Sequence, residues 1–260
     1  MLNIVVPMAG RGSRFSQVGY EVPKPLIELH GVPMIQLVVS NLRPSSAHRF
    51  IFLCLQEHLN NYPVTSVLRE VAPDCEIVVV DGITEGAACT VLLAKDLINS
   101  PSPLMIANCD QWVDANVDDY LAHMSACDAD GLIMTMRAND PKWSFVRFNE
   151  QAEITEVVEK QVVSNEATVG IYNFRHGNQF VAGAESMIRQ DLRVNNEFYV
   201  APVYNEVIQQ GGRIAHYNIG SEGQGMYGIG VPADFDKFLR EPVCERALSQ
   251  FHRHTKRRAA

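Results

Sequence analysis

Asn3-Ile4-Val5-Val6-Pro7-Met8-Ala9-Gly10-Arg11-Gly12-Ser13-Arg14-Phe15 passes from a β-branched apolar run directly into a turn of small and basic residues. The run reads as a strand buried on both faces, and the turn sits past its C-terminal end, where open α/β sheets bind ligands. Ala9, Gly10 and Gly12 let backbone N–H groups approach an anion closely, since no bulky side chain intervenes and glycine tolerates positive φ. Arg11 and Arg14 add planar forks of donors suited to phosphate. Two familiar phosphate loops are excluded: Phe15 stands where a dinucleotide G-x-G-x-x-G needs its last glycine, and no G-x-x-x-x-G-K-[ST] occurs.

Outward from this turn, apolar runs alternate with amphipathic stretches. Asn3–Val6, Phe50–Leu55, Glu76–Val80, Leu104–Ala107 and Gly131–Met136 are predicted strands; Pro33–Leu42, Val64–Val71, Ala87–Ile98 and Val117–Cys127 are predicted helices. That alternation predicts an α/β fold, Rossmann-like, with a mixed, mostly parallel sheet covered by helices on both faces. Past Arg137 the texture changes. Strands are expected at Phe145–Phe148, Ile154–Val158, Thr168–Phe174 and Arg213–Tyr217, in a more antiparallel section, with helices at Gly177–Arg189, Tyr199–Gln209 and Ala233 to about Phe251. The expected organisation is one domain over 1–251, in two halves at 1–136 and 137–251, with a frayed basic tail at 252–260.

A chain of 260 residues buries roughly 70–75% of its unfolded surface, so a single core needs no covalent staples. The six cysteines show no C-x-x-C pair and read as reduced packing residues, against both a disulfide framework and a zinc site. Net charge is −8, and Arg253, Lys256, Arg257 and Arg258 near the end leave the body near −12, a poor partner for nucleic acid. The first residues carry no basic leader and no apolar run is long enough to span a bilayer, so the expected setting is the cytoplasm, without membrane contact. The amphipathic helices leave a homo-oligomer open, because interface and surface helices share one pattern.

Beyond the glycine turn lies Pro23-Lys24-Pro25-Leu26. Gly10, Gly12, Arg14, Phe15, Lys24, Pro25 and Leu26 together resemble the N-terminal motif of the sugar-phosphate nucleotidyltransferase family, the nucleoside diphosphate sugar pyrophosphorylases: G-x-G-x-R-[LF] followed by K-P-[LM]. The resemblance implies that Pro7 to Ser13 wraps the triphosphate of an NTP, that Arg14 steadies the departing pyrophosphate and that Lys24 contacts phosphate. Glu85-Gly86-Ala87-Ala88 resembles the family segment against base and ribose, with Ala87 in place of threonine. Asp81 stands where relatives often place a base-reading glutamine. A carboxylate accepts but does not donate hydrogen bonds, which tilts the reading toward CTP over UTP or dTTP, while a loop-capping role for Asp81 fits equally.

Ile106-Ala107-Asn108-Cys109-Asp110 delivers an acid at the end of an apolar strand. A buried carboxylate needs an ion or a basic partner, and the resemblance makes Asp110 the ligand of Mg2+, with Asn108 beside it. Glu159-Lys160 resembles the family's Glu-Lys-Pro with Gln161 for proline, making Lys160 the clamp on the acceptor phosphate. Val169-Gly170-Ile171-Tyr172 resembles its Gly-[IL]-Tyr strand, and Glu197 matches an acid that binds acceptor hydroxyls, although a helix N-terminus also favours an acid there. The implied activity is magnesium-dependent transfer of a nucleotidyl group from an NTP to a sugar phosphate or similar small phosphorylated acceptor, releasing pyrophosphate, with 1–136 as the nucleotide-binding half and 137–251 as the acceptor-binding lobe. One departure stands out: the family usually carries Asp or Asn two residues before the glycine of its last motif, and here Gly228 precedes Ile229-Gly230. The second metal ligand is thus unassigned, with Asp234 nearby. Two rival readings follow, a catalytically silent nucleotide-sensing or assembly subunit and a nucleotide-sugar-dependent glycosyltransferase.

Overall fold

Strand β1 (Leu2–Pro7) sends Ile4 and Val6 to one face and Val5 to the other, all fully buried. A period-two run with no polar face belongs in a sheet covered twice. The computed structural model, which describes the backbone of residues 1–259 and the side chains of 1–255, contains that sheet. After β1 come helix α1 (Ser13–Ser16), a 3-10 turn at Lys24–Leu26, a hairpin of β2 (Glu28–Leu29) and β3 (Val32–Pro33), and helix α2 (Met34–Leu42). The chain continues through β4 (His48–Leu55), α3 (Gln56–Asn61), α4 (Val64–Val71), β5 (Glu76–Val80), α5 (Ala87–Leu92), α6 (Lys95–Ile98) and β6 (Leu104–Ala107). Next are β7 (Gln111–Val113), α7 (Val117–Ala126), β8 (Gly131–Arg137), β9 (Ser144–Phe148), β10 (Ile154–Glu159) and β11 (Glu166–Phe174). Helices α8 (Gly177–Arg189) and α9 (Val203–Gln209), strands β12 (Ile214–Glu222) and β13 (Gly225–Gly228), and helices α10 (Pro232–Arg240) and α11 (Pro242–Ala259) complete it.

Among the described residues the large sheet has eleven strands, in the order β5-β4-β1-β6-β11-β8-β12-β13-β7, with β9 beside β11 and β10 on β9. Strands β5, β4, β1 and β6 are parallel, β11 runs antiparallel between β6 and β8, and β12 returns parallel to β8. Phe50, Phe52 and Cys54 of β4 face one core with α2, α4, α7, α10 and α11; Ile51, Leu53 and Leu55 face the other with α5, α6, α8 and α9. Each fully buried side chain of this size contributes about 1.5–3 kcal/mol relative to exposure. All six cysteines are free, and four of them are buried.

The structure differs from expectation at several element boundaries. The helix expected over Ala87–Ile98 divides into α5 and α6, with Leu93 and Ala94 making tighter bonds back to Thr90 and Val91. The single helix expected from Ala233 is two, because Pro242 has no N–H to donate and holds Glu241 in an extended conformation. Helix α9 starts at Val203, not Tyr199, and β12 runs on to Glu222. The segment expected to fray is helical to Ala259; the side chains from 256 onward and residue 260 lie outside the described residues. Among the described residues no helix is long and apolar enough to cross a membrane.

Candidate active site

The glycine turn is pinned at both ends and open in the middle. Met8 is buried and donates its N–H to Leu53 O at 3.0 Å, extending the β1–β4 ladder past Pro7. Gly12, at φ 62°, caps α1 in the left-handed conformation, and Phe15 is buried edge-on against Tyr20 and Phe235, with ring centroids 5.2 and 5.8 Å away. Between these anchors, a Cβ on Gly10 would find no heavy atom within 4 Å. Lys24 opens the 3-10 turn, fixed by Pro23 before it and the buried Pro25 and Leu26 after it.

Asp110 lies with Cys109 in the bend that follows β6 and Asn108 and leads into β7. Its backbone carbonyl accepts the Ile229 N–H at 3.0 Å, and Gly230 lies so close that a Cβ there would come within 2.7 Å of Asp110 Cγ. The Lys24 ammonium donates to Asp110 Oδ2 at 2.6 Å, with the two side chains 19% and 27% exposed. Burial alone would lower the pKa of Lys24, but the Asp110 carboxylate outweighs it and the lysine stays charged well above its ordinary range. Cys109 is buried, and burial first, then Asp110, pushes its thiol up to about 11, Lys24 opposing; it is a packing residue at neutral pH.

The glycine turn, Lys24 and Asp110 thus share one cleft of about 760 Å³. Its opposite wall is the start of α5 and the segment around Glu197. Gly86 adopts φ 132°, and Phe198 bridges the wall, donating to Glu85 O at 2.8 Å and accepting from Ala88 N at 3.0 Å. The Thr84 and Thr90 hydroxyls bond each other at 2.6 Å, and the one that accepts this bond donates its own proton to Gly86 O. Asn195 and Asn196, both at positive φ, make the tight turn that presents Glu197.

A second cavity of about 270 Å³ adjoins the first and shares Pro7, Ala87 and Asn108 with it. Lys160, at φ 61°, donates from Nζ to Lys142 O at 2.5 Å and lies 5.6 Å from the Tyr199 ring centroid. Glu159 is buried and accepts a short hydrogen bond from Ser144 Oγ and the Lys160 ammonium at 3.4 Å. Tyr199 is pushed up to about 12, by burial first and then by its bond to Glu197. Gly170, at φ 82°, lies against Asn108, where a Cβ would come within 2.8 Å of Cγ.

Pro7, Met8, Ala9, Gly10, Arg11, Lys24, Gly86, Ala87, Asn108, Asp110 and Glu197 line the larger cleft, and Glu159, Lys160 and Gly170 line the smaller. Gly12, Ser13, Arg14 and Asp81 line neither. Arg14 and Asp81 are exposed, Arg14 near enough to Lys24 to act on its charge. Residues that the sequence did not single out are Thr84 and Thr90 in one cavity and Lys142, Ser144, Thr168 and Tyr199 in the other, which Trp143 and the Tyr172 of the Gly-[IL]-Tyr strand also line. Gly228 points toward Asp234, whose Oδ2 would be 3.7 Å from a Cβ at that position. Among the described residues no group of three or more His, Cys, Asp or Glu could hold a metal ion. Asp110 is a carboxylate in the cleft beside the glycine turn, and magnesium usually binds phosphate substrates through one or two carboxylates plus phosphate oxygens and water.

A family model described as nucleotidyl transferase matches residues 4–197. The catalytic subunit beta of mannose-1-phosphate guanylyltransferase from Dictyostelium discoideum is 25% identical over 183 residues, 66% of this chain and 49% of that protein. The chain spans about half the length of the curated relatives it matches. Among solved structures, the nucleoside-diphosphate-sugar pyrophosphorylase from Vibrio cholerae RC9 is similar at 26% identity and a TM-score of 0.76, covering 92% of this chain and 100% of that one. The inositol-1-phosphate CTP transferase from T. maritima shares the fold at 16% identity and a TM-score of 0.69, covering 96% and 95%.

Proposed function

Since the chain belongs to the nucleotidyl transferase family, we propose that it moves a nucleotidyl group from an NTP to a small phosphorylated acceptor, releasing pyrophosphate. The observation that carries the reading is the meeting of Lys24 and Asp110 at 2.6 Å beside the open Gly10 turn, in a cleft continuous with a second cavity holding Lys160. A triphosphate laid along the turn meets backbone N–H groups at Gly10 and Arg11 and the Lys24 ammonium. An acceptor phosphate beside Lys160 then faces the α-phosphorus across Asn108, one of the three residues common to both cavities. The acceptor oxygen attacks in line and pyrophosphate leaves, so the protein supplies position and charge and no covalent intermediate is needed. A phosphate dianion is already ionised near neutral pH, and no general base is required.

Magnesium held by Asp110 would offset charge on the phosphates. Glu197 in the first cavity and the buried Glu159 in the second are the acids in reach of acceptor hydroxyls. Sugar phosphates are the acceptors favoured by the family and by the names of its relatives. The preference for CTP read from Asp81 gains no support from the position of that residue, and CTP, UTP and dTTP are equal candidates.

The test is incubation with each NTP, magnesium and a panel of phosphorylated acceptors, following pyrophosphate. Asp110→Ala is expected to lower turnover by about a hundredfold, equivalent to about 3 kcal/mol of transition-state stabilisation. Pyrophosphate release unaffected by Asp110→Ala refutes the site, whereas NDP released from a nucleotide sugar points to a glycosyltransferase and binding without turnover to a sensing subunit.

A further inference from the structure

Lys24 and Asp110 are both assigned to the phosphate and metal chemistry of the cleft, yet in this structure each is the other's partner. The pair is partly buried, and both residues are anchored at the backbone. Asp110 is held by its backbone bond to Ile229, and Gly230 closes off one side of the carboxylate. Lys24 is held by the flanking prolines and by Gly12, where a Cβ would already come within 3.2 Å of Lys24 Cβ. Opposite charges in contact at a partly dehydrated site attract far more strongly than in bulk water.

A divalent cation arriving alone must displace an ammonium from the single carboxylate that touches it. Gly228 brings no side chain to help, and among the described residues no group of three or more Asp, Glu, His or Cys is placed to hold a metal ion. A polyphosphate reverses the balance, because its oxygens give the ammonium a new anionic partner and bring ligands for the cation at the same moment. We infer that Lys24 keeps Asp110 closed to a bare divalent cation, and that metal binding here is conditional on a polyphosphate that draws the ammonium away. The inference rests on the reading of Asp110 as the metal-side acid, and it gives Lys24 a second role besides phosphate contact: it sets the order in which metal and nucleotide arrive.

Equilibrium dialysis with Mn2+ as the probe tests it, using the intact protein with and without inorganic tripolyphosphate. Wild-type protein is expected to retain Mn2+ at least tenfold more tightly with tripolyphosphate than without. Lys24→Met, confirmed folded by its thermal melt, is expected to bind Mn2+ alone at least tenfold more tightly than wild type and to lose most of the response to tripolyphosphate. Lys24→Arg, which keeps the charge, should behave like wild type toward Mn2+ alone. Equal retention of Mn2+ by wild type with and without tripolyphosphate overturns the inference, as does a Lys24→Met protein within twofold of wild type for Mn2+ alone. Pyrophosphate release separates the two levels. Turnover without the Mn2+ coupling sinks only this inference, whereas coupling without turnover sinks the proposed reaction.

Discussion

Replacing Gly86 by alanine tests whether the cleft wall is held as the structure indicates. Gly86 sits at φ 132° and ψ 172°, a region open almost solely to glycine, and forcing another residue there costs about 1–3 kcal/mol. The new Cβ would come within 2.5 Å of Phe198 N and closer still to Phe198 O. Those two atoms make the bonds to Glu85 O and Ala88 N that join α5 to the segment carrying Glu197. Losing both adds about 1–3 kcal/mol, for a total of about 2–6 kcal/mol. For a chain of this size each kcal/mol moves Tm by about 2–4 °C, so Gly86→Ala should melt roughly 10 °C lower. Calorimetry without nucleotide measures it. A melt within about 2 °C of wild type would show that the α5–Phe198 junction yields without cost, and the assignment of Gly86 and Glu197 to one shared wall of the cleft would lose its mechanical basis.

Gly10→Ala should do the reverse: with no atom within 4 Å of the new methyl, Tm should stay within about 1 °C, while calorimetric titration shows nucleotide or tripolyphosphate binding weakened severalfold. Gln111 is 4% exposed, its Nε2 has no partner, and its Oε1 accepts only a 3.4 Å bond from Asn108 Nδ2. Gln111→Met removes an unpaired buried donor worth about 1–3 kcal/mol, so Tm should hold or rise while kcat/KM falls as Asn108 loses its brace; a large fall in Tm would refute this account. Burial lowers the pKa of His216 below 6.5, with Glu166 opposing and His123 adding. The unfolded chain then takes up a proton that the folded one refuses, so this contribution to stability is intact above pH ~6.5 and lost as pH falls from there toward the lowered folded pKa. His216→Gln should flatten the decline in Tm between about pH 7 and 5.

The strands of the first half were legible because they are apolar runs, which for β1, β4, β6 and β8 the doubly covered sheet accommodates and for β5 its half-exposed edge, and all five lie where the pattern put them. Short pairings were not. Strand β7 is three residues and β13 four, too brief for any period to show, and they exist because each completes the other at the sheet edge. The parallel return of β12 beside β8 is a non-local choice that no window of sequence contains. In the cleft, Gly10, Lys24 and Asp110 were legible because their residue types are unusual for their positions. Thr84, Thr90, Ser144 and Tyr199 carry no such mark; their place in the cavities comes from folding. Arg14 shows the converse case: in a four-residue helix whose Phe15 must turn inward, its neighbour is left on the exposed side.

The convergence of distant residues follows from strand direction. Strands β1 and β6 are parallel neighbours, so the turn after Pro7 and the bend after Ala107 leave the sheet at the same edge. Strand β11 lies antiparallel to β6, placing Gly170 beside Asn108 just before the chain crosses back. The β13–β7 pair then brings Gly228 opposite Gln111 and carries Gly230 against Asp110. Each of these contacts is made by glycine or by backbone, which leaves the charged side chains Lys24, Asp110 and Lys160 as the groups free to change partners when anions enter. A site built this way can hold its walls fixed while its charges rearrange, and that is what moving a nucleotidyl group between two phosphates requires.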